Sequence, residues 1–468
     1  MATTGLHEAV IERLRQSLGE AAVDLDSNAV AYLAEDALRG RGAVAAEPAR
    51  PLAVVRPADA AGVAQAMALA NEAGIAVVPY GAGTGLMGGA RSVVAGIVLD
   101  TSALDAIDVR AADRLVWAGA GAVLARVDEK LRQQEMCLGH DPWTFPVASV
   151  GGPIGTNGLG YKGGRYGGMG DQVVAVEVAL ADGALFRTIA VPRHSTGIDL
   201  ARLFVGAEGT MGVVTAAALQ AYPVPERLVL FSYGFATFEA GFEAVNEICA
   251  LGMRPVLLDY GEEHGSGWPG RGEEPPALHL GFEGFEEEVA ACETRARRIC
   301  IANGGTALPD SEARDLWDNR HVIAERFARE RRDGRRSRDS RREGLAFDYI
   351  HVALPASRVL EFRRMCHEVT EREGVALGEC GLWTAPEMFS AVFTLAEEQG
   401  GHARLREVTD DLLMRVQDLG GSMEYCHGAG IRLAHLMERE HGPALEVMRR
   451  VKTALDPKGI LNPGKLGL

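Results

Sequence analysis

The sequence predicts an α+β protein, with a loop-rich α/β part first and an antiparallel sheet covered by helices after it. Three observations predict this. From Pro51 short apolar runs alternate with a helix-like run. After Pro223 and Pro225 the texture shifts to longer helical segments separated by isolated strands. The 57 glycines gather in a few loops, without the fixed period of a fibrous repeat. A chain of 468 residues is long enough for two or three cores. Its 47% hydrophobic and 24% charged residues are an ordinary globular balance.

Residues 1–50 read as helical, opened by Thr3 or Thr4, with a small-residue loop around Arg39 to Ala49. PLAVVRP then reads as a strand, DAAGVAQAMALANEAG as a helix and IAVVPYG as a second strand. Asp59 is the expected N-cap, where a carboxylate accepts from a first-turn N–H, and Gly74 the C-cap, where left-handed backbone favours glycine. Strands IVLD and LVWAGAG and a helix from Ala122 follow. Residues 173–188, VVAVEVALADGALFRT, read as a hairpin turning at Asp-Gly. Beyond a composition break at Pro223–Glu226, LVLFSYGF, ALHLGF, FDYIHVAL and MFSAVFTL are the expected strands of the second part. The segment 325–344 is dense in arginine and is expected to be a solvated loop, with a mobile lid or a docking patch as the sharper alternative.

A net charge of −16 argues against a general nucleic-acid binder, because phosphate binding needs a positive surface. The opening stretch has no apolar core behind a basic end, and no uncharged run is long enough to span a bilayer. Seven cysteines without C-x-x-C spacing point to reduced thiols and a cytoplasmic location, with neither a zinc site nor a disulfide framework.

The glycine loops carry the functional signal. In VVPYGAGTGLMGG, Gly83, Gly85 and Gly88 match G-x-G-x-x-G after a strand, with Asp100 further on. The spacing to the next strand leaves no room for the helix of a nicotinamide-binding crossover, and Val93, Val94 and Gly96 are poor helix material, so that reading is rejected. Such a loop still presents successive N–H groups to an anion, and glycine permits the positive φ and the close approach. A second cluster spans 141–171 and a third 204–215.

The order P-x-G-x-G-T-G-x-x-G-G, D-P-…-S-V-G-G-…-N-G, Y-G, L-A-D-G and F-V-G-x-E-G-T-x-G resembles the FAD-binding domain of the vanillyl-alcohol oxidase/p-cresol methylhydroxylase superfamily. The branch with the most similar pattern is that of glycolate oxidase, D-lactate dehydrogenase and D-2-hydroxyglutarate dehydrogenase, and LDPKGILNPGK at 455–465 matches it too. The resemblance implies a two-subdomain FAD-binding domain over 1–226, a substrate or cap domain over 227–424, and a segment 425–468 returning to the first domain. It implies that Gly81, Ala82, Gly83, Thr84, Gly85, Leu86 and Gly88 wrap the pyrophosphate, and that Ser149, Gly152, Gly155, Asn157 and Gly158 line the flavin and ribityl side. Glu208, Gly209, Gly212 and Val214 fall near pyrophosphate and adenine, and Asn462 and Lys465 over the isoalloxazine. Pro79, Pro142, Tyr166 and Gly167 complete the expected set. The loop 77–89 has no histidine or cysteine for covalent attachment, so FAD is expected to be non-covalent; Cys137 and His140 are the nearest such residues and read as a core thiol and a loop histidine.

The chain departs from that branch where its metal ligands belong. The H-x-G-D-G-N-x-H region corresponds to CGLWTAPEMFSAVF, and E-H-G to Cys426-His427-Gly428, so no catalytic metal is expected. His427 is the expected proton acceptor, with Glu424, Tyr425 and Cys426 before it as contributors. Arg320, in a W-x-x-R resembling the family's, is the expected carboxylate anchor. Trp383, with Met388 and Phe389, is expected to make the pocket apolar. The expected activity is hydride transfer from a small alcohol or 2-hydroxy acid to FAD. A phenolic alcohol oxidase and a non-redox alkyldihydroxyacetonephosphate-synthase-like flavoenzyme stand as alternatives. A homodimer is the candidate assembly, and oxygen, a quinone or a protein stand as electron acceptors.

Overall fold

The computed structural model describes residues 2–38, 47–263, 274–332 and 344–468. It contains three sheets. The first has Val23–Asp24, Ala53–Val55, Gly96–Asp100 and Ala76–Tyr80 in that order, the last three parallel to one another. The helix Ala60–Ala73 packs on it, capped by the Asp59 carboxylate on the Gly62 N–H and by Gly74 in the left-handed region, as expected. Residues 81–95 join two parallel strands without a helix. The rejected nicotinamide fold is therefore absent from this segment, although the parallel pairing itself was not anticipated. Asp100 is tied to Arg56, 2.8 Å away.

The second sheet is antiparallel, running Ile107–Arg110, Leu115–Gly119, Val213–Pro223, Val173–Ala179 and Leu185–Arg187, with Met136–Leu138 paired to the far end of the long strand. The hairpin turns at Gly183, whose φ of +86° a side chain would resist. The helix placed from Ala122 begins at Leu124.

The third sheet is wholly antiparallel, with seven strands in the order Thr306–Leu308, Arg227–Gly234, Glu274–Gly284, Leu257–Glu263, Ala376–Trp383, Met388–Ala396 and Leu345–Ala353. Helices Phe238–Ala250, Glu286–Ala302, Ala356–Glu373 and Gly401–Asp418 contribute to its core, where Phe231, Tyr260, Phe282, Phe362, Phe389 and Phe393 are fully buried. Burying such a side chain is worth about 1.5–3 kcal/mol. Leu257–Glu263 and Ala376–Trp383 escaped the sequence reading because LLDYGEE and ALGECGLW interrupt the apolar pattern with Asp, Glu and Gly. Phe389 is thus core and packs on Phe362, not a pocket residue. The helix Val322–Arg332 carries the start of the arginine-rich segment; residues 333–343, like 39–46 of the expected small-residue loop, lie outside the described residues.

The chain end packs back on the first two sheets. Leu461 bridges to Val77, and Lys452 Nζ donates to the carbonyls of Thr210 and Leu461 at 2.8 Å each. All seven cysteines are free thiols. Among the described residues no helix is long and apolar enough to cross a membrane.

Candidate functional site

A cavity of about 1330 Å³, counted with its open mouth, lies between the first two sheets and beneath residues 426–427. Pro79, Gly81 to Met87, Gly89 and Ala90 form one wall. Pro142, Ser149, Gly152, Gly155 and Gly158 form a second, and Glu208, Gly209, Gly212 and Val214 a third.

The glycines are there because side chains do not fit. A Cβ on Gly83, which sits at φ +66°, would lie 2.0 Å from the Tyr80 hydroxyl, and one on Gly81 2.5 Å from Ser149 Oγ. Four cavity residues present buried polar atoms with no hydrogen-bond partner among the described residues: Ser149 Oγ, Glu208 Oε2, His427 Nδ1 and both ring nitrogens of His140. A cradle of backbone amides beside unpaired polar atoms fits the diphosphate and polar edges of FAD.

Six expected cofactor residues lie outside the cavity lining. Asn462, at φ +40°, donates to the carbonyls of Gly89 and Glu208, and Lys465 Nζ donates to Arg91 O and Pro463 O. Both therefore brace the wall from behind, outside the cavity lining. Asn157 holds Gly170 through its side-chain oxygen. Gly88 is enclosed by Ile431 and Leu38. Tyr166 donates to Glu283 of the third sheet and packs on Tyr222, carrying Gly167 with it. Cys137 is also away from the cavity, donating to Pro223 O, and burial pushes its pKa up to about 11.

Glu208 joins several segments. Its N–H donates to Gly155 O, and its Oε1 accepts from Ala429 N–H at 2.8 Å and Gly430 N–H at 2.9 Å. Gly428 and Gly430 allow this approach, since a Cβ would lie 2.6 Å from Glu208 Oε1 and 2.0 Å from Met87 O respectively. Burial pushes Glu208 up to about 7, although both N–H donors favour its ionised form.

This anchoring sets His427 on the cavity wall. Glu424 Oε1 accepts from Cys426 N–H (2.7 Å) and His427 N–H (2.9 Å) and lies 3.5 Å from His427 Nδ1. His351 stands across from it, ring centroids 4.7 Å apart, and Tyr349 packs 5.5 Å away. Burial opposes a charge on His427, but Cys426, Tyr349 and Glu424 outweigh it and hold its pKa well above the usual histidine value. Tyr425 is half-buried, with its N–H on His351 O, and Cys426 Sγ reaches Leu159 O. Cys426 lines the cavity, whereas Tyr425 does not.

Sequence reasoning placed Glu424 beside His427 but missed His351 as their neighbour. Donor atoms of His351, Glu424 and His427 lie within 4.8 Å of one another, a set able to hold a metal ion although the family's ligand positions are replaced. The signal was out of reach because the two segments meet through tertiary contacts, the pairing of Ala353 with Ser422 and the Tyr425 N–H on His351 O.

Arg320 does not reach the cavity wall. Its Nε donates to Asp141 at 2.9 Å, its Nη1 donates to Trp317 O, and its guanidinium stacks 4.1 Å over the Trp317 ring. The W-x-x-R spacing thus makes a cation–π pair, and Asp141, shared with His321, occupies the charge. Trp383 also stands back from the cavity lining, edge-on to Tyr161 at 5.3 Å.

Residues 51–189 match a family described as an FAD binding domain, and residues 224–466 one described as FAD linked oxidases, C-terminal domain. D-lactate dehydrogenase of Archaeoglobus fulgidus is 28% identical over 442 residues, covering 90% of this chain and 93% of that protein. D-2-hydroxyglutarate dehydrogenase of Xanthomonas citri is 28% identical over 438 residues, 89% of each. The solved structure of 4-ethylphenol oxidase from Gulosibacter chungangensis has the same fold, with a TM-score of 0.78 over 99% of this chain and 97% of that one at 16% identity.

Proposed function

The chain belongs to the FAD-linked oxidases, and on that premise we propose that it takes a hydride from the CH–OH carbon of a small alcohol or 2-hydroxy acid, with His427 accepting the hydroxyl proton. The observation that carries this reading is His427 on the wall of the FAD cavity with Glu424 behind it. Bound FAD supplies the two-electron acceptor. Glu424 fixes the loop through two backbone N–H groups and faces Nδ1, so it stabilises the imidazolium formed when Nε2 takes the proton. Leu159 and Trp143 line the same cavity and add apolar surface to its wall.

The test is anaerobic mixing of the holoenzyme with D-lactate, glycolate, D-2-hydroxyglutarate, neutral secondary alcohols and 4-alkylphenols, followed by flavin absorbance. Bleaching by a hydroxy acid or alcohol supports the proposal. Bleaching by phenols alone favours the phenolic oxidase, and no bleaching by any compound favours the non-redox transferase. Free thiols support a cytoplasmic site of action; a homodimer is to be tested by sedimentation, and the acceptor by reoxidation with oxygen or a quinone.

A second reading rests on the three donors His351, Glu424 and His427. On this reading they would hold a divalent cation, which would supply Lewis-acid polarisation of a hydroxyl, and His427 would be a ligand instead of a base. Prolonged chelation followed by metal analysis separates the two. Full flavin reduction by substrate in metal-free enzyme removes the second reading.

A further inference from the structure

We propose that the imidazole of His140 hydrogen-bonds the bound FAD, a side-chain contact from outside the glycine loops. The inference rests on FAD binding and is independent of the substrate.

The backbone around His140 is built to aim it. A Cβ on Gly139 would lie 2.8 Å from Tyr166 and from Gln172 Oε1, so the chain presses directly on that surface. On the other side a Cβ on Gly160 would lie 2.6 Å from the Asp141 carbonyl carbon, and Tyr161 N–H donates to Asp141 O at 2.8 Å. The Asp141 carboxylate is anchored by Arg320 and His321, and Pro142 follows. With both neighbours fixed, His140 projects into the cavity lining beside Pro142 and Trp143.

His140 is 2% exposed, and neither Nδ1 nor Nε2 has a hydrogen-bond partner among the described residues. A buried polar group left unpaired costs ~1–3 kcal/mol, and a neutral imidazole carries one donor and one acceptor. The chain satisfies such a group where it is structural: His279 lies 2.8 Å from Ser232 Oγ, and His321 is 2.7 Å from Asp141. His140 differs from both in facing the cavity. Burial pushes its pKa down to about 4 against the opposing pull of Asp141, so at neutral pH it offers an N–H and a lone pair. A ligand rich in polar ring and ribityl atoms supplies the missing partners.

The test compares wild type with His140→Phe, which keeps a ring but loses both hydrogen-bonding atoms, and with His140→Gln, which restores a donor and an acceptor. FAD affinity is read by fluorescence titration of apo-protein, and apo-protein Tm by thermal denaturation. The expected result for His140→Phe is FAD binding weaker by about tenfold, with apo-protein Tm unchanged or raised because an unpaired polar group has gone. His140→Gln should recover most of the affinity. Affinity of His140→Phe within about twofold of wild type overturns the proposal, as does an affinity loss matched by a fall in apo-protein Tm. Should His140→Phe fail to fold, the imidazole ¹⁵N signal of His140, assigned with His140→Gln, must move when FAD is added to wild type; an unmoved signal overturns the proposal equally.

Discussion

Around one cavity, residues 79–90 depend on glycines whose Cβ would clash and are braced by the chain end, whereas residues 349–351 and 424–427 are positioned by side chains and pairings that meet across the fold. On the glycine side, Gly83 is required by its φ and by the Tyr80 hydroxyl three residues away. On the histidine side, His427 owes its place to Glu208, Glu424 and a pairing between Ala353 and Ser422. The first arrangement tolerates almost no added atom. The second tolerates changes of side chain, and a family can alter its chemistry there while keeping its cofactor.

The largest expected effect breaks the two sides apart. His427→Ala should slow flavin reduction by about 10²–10⁴-fold, the usual worth of a general base, with FAD still bound. Stopped-flow reduction together with flavin content checks this; loss of flavin in the purified variant would mean that the two sides are not separable. Because the His427 pKa is held above its usual value, the proton-accepting neutral form grows as pH rises. Reduction rate should therefore climb along an ascending limb lying above about pH 6.5, and His427→Ala should flatten that limb.

The converse change is Gly83→Ala. Strain at φ +66° and the contact with Tyr80 should weaken FAD binding by at least about tenfold. Gel filtration followed by absorbance measures the retained flavin, and residual holoenzyme should keep a near-normal reduction rate.

Arg320→Ala tests whether W-x-x-R serves packing. Removing it leaves the buried Asp141 with His321 as its remaining ion-pair partner, at an expected cost of ~2–3 kcal/mol, below the full penalty for breaking a buried pair. The Tm should fall by several degrees. A change confined to KM for a carboxylate substrate would return Arg320 to the anchoring role.

The smallest effect is a pH slope. Glu208 is raised from 4.5 to about 7 by burial, so its contribution to folding is fully present below about pH 4.5 and lost as pH rises through 7. Glu208→Gln should make apo-protein Tm fall less than wild type between about pH 5 and 7.5. Parallel slopes would show that Glu208 is not raised.

Much of the glycine side was legible because its causes are local. Asp59 and Gly74 cap the helix expected of them, and the Asp-Gly turn closes its hairpin at Gly183. The cavity walls at 79–87, 149–158 and 208–214 follow the motif order. Illegible were the features decided at a distance. Asn462 and Lys465 belong to a glycine-bearing motif, yet they donate to carbonyls behind the loops. Trp317 and Arg320 have a recognisable spacing, yet Asp141, from a loop about 180 residues earlier, claims the charge. His351 sits in a strand with apolar alternation and gives no local sign that Glu424 and His427 lie beside it.

The bracing of the wall by Asn462 and Lys465 also sets an order of assembly during synthesis. Both first-domain sheets leave the ribosome long before Leu461 can join Val77 or Asn462 can tie Gly89 to Glu208. Until residues 461–465 have emerged, the nascent chain carries its glycine loops without the ties at Val77, Gly89, Arg91 and Glu208.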